Sequence, residues 1–170
     1  MCDMYRLLLF FAFISFAAVA ADPAVKGTLT ANGVTTTLTH VAAYELESTT
    51  EKGYMDIRVV ISDRELPREV ALSDEKLEEL MSAKKVAALR VLLNPDCKVL
   101  SAAPYSPAMR NFVSSGAFIQ WKPSAYDDEK VAGRFWTDGE KELAGEKWSF
   151  DITFSAPIIL DPKAKTVEKK

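Results

Sequence analysis

The chain is predicted to be mainly β, an antiparallel β-sandwich with a small β-barrel as the alternative and one short surface helix near 73–83. Three observations predict this class. Apolar residues recur at every second position in several segments, turn signals separate those segments, and a single stretch carries helical spacing.

The first segment is not a fold element. Met1 to Arg6 is a short charged start, Leu7 to Phe16 is almost wholly apolar, and Ala18-Val19-Ala20-Ala21 supplies small residues before Asp22-Pro23. That order reads as a secretory signal peptide over 1–21, cut after Ala20 or after Ala21. The apolar run falls short of the roughly 20 residues a spanning helix needs, so no stable membrane span is expected after cleavage. The expected location is periplasmic or secreted.

The expected single β-domain spans 22–161, 140 residues, which is long enough to bury a core without staples. Of the two cysteines, Cys2 leaves with the leader and Cys97 stays alone, so no internal disulfide is expected. The net charge is −3 with both signs interspersed, and no basic patch suggests nucleic acid.

Asn32-Gly33 is the strongest hairpin signal, because both central residues of a type I′ turn need positive φ. A turn there pairs Ala31 with Val34, Leu29 with Thr36, Gly27 with Leu38 and Val25 with His40. Val25, Leu29, Val34 and Leu38 then share a dry face, and a one-residue slip would put the leucines in water.

Further strands follow from the same period. Met55, Ile57, Val59 and Ile61 alternate with Asp56, Arg58 and Ser62, which reads as one dry and one wet face. Ala87 to Leu93, a stub at Val99 to Ala102, Ala117 to Lys122 and Val131 to Thr137 continue the series. Trp148, Phe150, Ile152 and Phe154 against Lys147, Ser149, Asp151 and Thr153 is the clearest case. Turn signals lie between them at Asn94-Pro95-Asp96, Ser114-Ser115-Gly116, Asp138-Gly139 and Ala144-Gly145.

Leu77, Leu80 and Met81 have helical spacing, Ser73 is a good N-cap, and Asp74 and Glu75 suit the positive helix start. The stripe is narrow, so this is expected to be a surface helix in a connection, not a second layer. Residues 162–170 carry four lysines and no apolar period, as a disordered tail would.

The candidate chemistry is sparse. His40 is the only histidine, and the hairpin register places it beside Val25, as a structural, partly buried residue. The functional reading makes it a general base, and a small secreted hydrolase could combine it with the acids Asp127, Asp128 and Glu129. No second histidine, clustered cysteine, G-x-S-x-G or calcium-loop spacing accompanies them, so no metal and no cofactor is expected. Cys97 reads as an exposed thiol in a turn; Lys98 beside it could lower its pKa and make it reactive. Trp121 and Trp148 are in phase with apolar faces. Trp136 is out of phase, so Trp136 with Tyr126 is the candidate ligand-binding pair.

Three stretches, Gly27 to Gly33, Leu38-Thr39-His40-Val41-Ala42-Ala43 and Phe150-Asp151-Ile152-Thr153-Phe154-Ser155-Ala156-Pro157, stand around the strand Val59 to Pro67. Together they resemble small exported bacterial β-domain proteins of unknown function. The resemblance implies one exported β-domain and carries no activity or catalytic residue. The chain departs from that pattern at Asn94-Pro95-Asp96-Cys97-Lys98, where a D-G-K-type turn would be expected.

The function expected from these residues is non-catalytic binding, with a protein or glycan of the cell envelope as partner. The alternatives are the hydrolase above and a carbohydrate or lipid carrier.

Overall fold

A computed structural model describes residues 24–48 and 50–160. The expected leader and the tail from 162 lie outside the described residues. The chain forms β1 (Ala24–Ala31), β2 (Val34–Thr37), β3 (His40–Glu47), β4 (Met55–Ser62), α1 (Arg68–Ala71) and α2 (Asp74–Ser82). It continues with β5 (Ala88–Leu93), β6 (Val99–Tyr105), β7 (Gln120–Tyr126), β8 (Lys130–Trp136), β9 (Lys141–Leu143) and β10 (Glu146–Ile159).

The fold is mainly β, and the strands form two sheets joined by β10. Sheet A runs β2-β1-β10-β8-β7, with β9 pairing the start of β10. Sheet B runs β10-β3-β4-β5-β6. Every pair is antiparallel except one: Ile158 and Ile159 at the end of β10 lie parallel to Ala43 and Tyr44 of β3. Long β10 serves both sheets because its alternation never breaks. Trp148, Phe150, Ile152, Phe154 and Ala156 are all buried while Lys147, Asp151, Thr153 and Pro157 are exposed. The arrangement is an open sandwich. β2, β7 and β6 end the two sheets without closing them into a barrel.

The inner faces share one core. Leu29 and Phe135 from sheet A meet Ile61 and Leu89 from sheet B within it. Trp121 belongs to its edge. Its ring stands 4.3 Å from Phe135 and 5.8 Å from Phe154, centroid to centroid. That approach requires Gly133, where an added Cβ would lie 2.6 Å from the Trp121 ring.

The hairpin forms as its turn chemistry dictates. Asn32 and Gly33 have φ of 47° and 81°, and Ala31 pairs Val34 while Leu29 pairs Thr36. The register stops short of His40, however. The chain leaves the ribbon after Thr37, and His40 starts the separate strand β3, where it pairs Ser62 instead of Val25. β3 and the short β9 were not anticipated as strands, whereas the stub at Val99 extends to Tyr105 and β7 starts only at Gln120.

The helical region also differs from expectation. Ser73 does cap α2, its side chain accepting from the Lys76 N–H at 3.2 Å. Yet α1 and α2 are more than a surface connection. They close the outer face of sheet B, where Tyr44, Val60 and Ala71 make a second small core beside Leu66 and Leu72. Asp56, Arg58 and Ser62, read as the wet side of β4, are buried, with Arg58 held against the helices.

Candidate functional site

Each residue with candidate chemistry has a definite place. His40 is exposed, which corrects the expectation of a partly buried residue under Val25; its Nδ1 meets Thr39 Oγ1 at 2.9 Å. The acids Asp127, Asp128 and Glu129 occupy the β7–β8 turn and are exposed. Asp127 Oδ1 accepts from the backbone N–H of Glu129 and of Lys130, at 2.9 and 2.8 Å, so this carboxylate holds its own turn together.

The two aromatic candidates do not form one platform. Tyr126 lies opposite inward-facing Val131 and packs on the core, while Trp136 lies opposite exposed Asp151 on the other face of sheet A. The Tyr126 hydroxyl donates to the Asn94 carbonyl at 2.7 Å. Burial, aided by the nearby Cys97, Asp56 and Asp96, pushes its pKa up to about 12, so it remains a neutral donor. Cys97, half-buried, sits at φ 62° in its turn and accepts from Trp121 Nε1 at 3.3 Å.

Two polar networks went unseen in the sequence, because their members lie far apart along it. In the first, Arg58 and Arg90 share the Asp74 carboxylate on the outer face of sheet B, with closest contacts of 2.7 and 3.1 Å. Tyr105 also donates to it, at 3.1 Å, and Arg58 Nε caps the Ala71 carbonyl at 2.8 Å. Burial alone would raise the Asp74 carboxyl. The fields of Arg90 and then Arg58, with hydrogen bonds from Arg58 and Tyr105, outweigh that and hold it below the usual carboxylate range.

In the second network, buried Glu146 accepts from Asn32 Nδ2 at 2.6 Å and from the backbone N–H groups of Arg110 and Asn111, both at 2.9 Å. Asn111 Nδ2 adds a bond at 3.1 Å. The carboxylate thereby ties the β1–β2 turn, the loop after β6 and the β9–β10 hairpin at one end of the sandwich. Burial opposes its ionisation, but these donors, Asn32 foremost, lower its pKa overall. Both networks are fully engaged in holding backbone and helix, so they read as architecture.

The outer face of sheet A is different, since no described element covers it. Thr28 and Thr30 of β1, with Thr35 and Thr37 of β2, make a hydroxyl field. Beside it, Arg134 binds Asp151 through two bonds of 2.7 and 2.6 Å, and its guanidinium stands 4.9 Å over the Trp136 ring. Trp136 is thus outward, as its phase predicted, with one ring face taken by Arg134. Further along the same face lies an open hollow of about 340 Å3. Lys26 and Lys130 flank it, Ser124, Thr153 and Ser155 bring hydroxyls, and small Ala132 leaves its floor low. This face is polar, with a single aromatic held in place by Arg134. No protein-family model, curated protein or solved structure matches the chain.

Proposed function

We propose that this protein is exported to the periplasm or secreted, and that it works by non-covalent binding of a protein or glycan of the cell envelope. The contact surface is the outer face of sheet A. One observation carries the reading: the two outer faces are treated unequally. Sheet B buries its outer face under α1 and α2, with two arginines paired to Asp74, while sheet A leaves Arg134 exposed beside a half-buried Trp136 and a row of exposed and half-buried threonines. An uncovered face ordered by a bidentate ion pair and a cation–π contact is already organised before a partner arrives, which lowers the cost of association.

Photo-crosslinking in the native cell tests this. A photoreactive residue at Thr28 or Lys122, on the open face, is expected to give adducts with an envelope component. The same residue at Glu75 or Glu79, on α2, is expected to give none. His40→Ala should leave the adducts unchanged. Adducts from α2 alone, or turnover of a substrate that His40→Ala abolishes, would overturn the proposal. Fractionation should recover a processed chain beginning at Ala21 or Asp22 outside the cytoplasm, and an unprocessed cytoplasmic chain would refute export.

A further inference from the structure

We infer that the hollow on the outer face of sheet A binds an acidic sugar unit, a monosaccharide-sized group bearing a carboxylate or a phosphate. The inference rests on the reading of that face as the contact surface and names its ligand class. Three features of the hollow converge. Lys26 and Lys130 bring two ammonium groups to its walls, and no aspartate or glutamate lines it. On a chain with net charge −3, this is a local reversal of sign, and such a reversal in a concave site concentrates anions.

The second feature is the set of hydroxyls. Ser124 of β7, with Thr153 and Ser155 of β10, line one space across β8. Each can donate and accept, which matches the vicinal hydroxyls of a sugar better than it matches a bare anion. The third is shape. At about 340 Å3 the hollow falls in the range of small-molecule sites and exceeds what a lone phosphate would fill. Ala132 alone puts an apolar side chain on the floor, because Val25 and Phe154 turn theirs into the core.

The adjoining Arg134 does not compete for the acid. Asp151 already occupies its guanidinium, so this wall is neutral and rigid and the lysines carry the specificity for charge. Because the hollow is open on one side, it suits a unit within or at the end of a chain.

The test titrates the purified full chain with four probes, followed by amide chemical shifts: trigalacturonic acid, glucose 6-phosphate, maltotriose and inorganic phosphate. The first two separate a carboxylate source from a phosphate source. At least one is expected to shift the amides of Lys26, Ala132 and Thr153 saturably. The exposed double variant Lys26→Ala/Lys130→Ala should weaken that binding about tenfold or more, with unchanged thermal unfolding. Added salt should weaken it as well. Binding of maltotriose as tight as that of the acidic sugars, and indifferent to the lysine variant, would overturn the charge assignment while leaving the open face as a contact surface. Phosphate binding as tightly as either sugar would overturn the sugar assignment. No shift at this face from any probe would overturn the inference outright. Crosslinks from Thr28 or Lys122 would then still support the broader reading.

Discussion

At the scale of single residues, the most informative position is one where the structure accepts a cost. Asp56 is 2 % exposed, and its Oδ1 has no hydrogen-bond partner among the described residues. Burial raises its carboxyl, with a hydrogen bond from Ser48 pulling the other way. A folded-state pKa above the unfolded value means that ionisation opposes folding, so this residue weakens the protein as pH rises through that pKa. Asp56→Asn keeps the shape and removes the charge. It is expected to raise stability at pH 7 by about 1 kcal/mol, and the gain should shrink as pH falls and the wild-type carboxyl protonates. Urea unfolding at two pH values measures both effects, and a variant less stable than wild type at pH 7 would refute the account. The sequence presents Asp56 only as a polar residue in alternation with Met55 and Ile57. Alternation reports which side of the strand a residue takes, not whether that side is later covered.

At the scale of elements, α2 shows how much a correct local reading can leave out. Ser73 as cap, Leu77 and Met81 as the buried stripe and Asp74 at the helix start were all legible, because each follows from helix geometry within a few residues. What Asp74 does beyond the helix start was not. It is the one carboxylate between Arg58 of β4 and Arg90 of β5, so the helix is pinned to sheet B through its first residue. Removing one partner of such a cluster leaves buried charge uncompensated. Asp74→Ala is therefore expected to cost about 2–4 kcal/mol, less than a fully buried pair because the Asp74 side chain keeps contact with water. Without Asp74 to hold it, Arg58 should also release the Ala71 carbonyl, so hydrogen exchange of α1 and α2 should rise more than that of β10. Equal loosening everywhere would show that the carboxylate does not act through the helices. The misplaced end of the first hairpin has a related cause. Turn chemistry at Asn32-Gly33 sets the register nearby, but where the ribbon stops depends on β4 capturing His40 to Glu47.

At the scale of the whole molecule, three carboxyls are depressed, Asp74, Glu146 and Asp151; Asp151 sits in an exposed pair within sheet A, so the two that join separate elements govern the response to acid. Glu146 and Asp74 both ionise more readily in the folded protein than in the unfolded chain. Their contribution is complete above the ordinary carboxylate range and is lost as pH falls through that range to their folded pKa values. Acid unfolding should therefore begin at the loop end held by Glu146 and at the helical cover held by Asp74. Glu146→Gln is expected to lower stability at neutral pH and to flatten its decline as pH falls below the ordinary carboxylate range, where wild type loses this contribution. Parallel acid-unfolding curves for variant and wild type would refute it. What the sequence by itself determined were the short-range features: the Asn32-Gly33 turn, the period-2 faces of β1, β4, β5, β8 and β10, the cap of α2, and the outward phase of Trp136. These depend on backbone geometry within a few residues, so a linear reading recovers them. What only the tertiary structure decided was which faces met water. Covering the outer face of sheet B required α1 and α2, the connection between β4 and β5, to fold back over the sheet. Gathering Asn32, Arg110 and Asn111 around Glu146 required the whole sandwich to close. The open face of sheet A and its hollow follow from the same cause, since a surface is defined by the segments that fail to pack against it, and no local pattern records those.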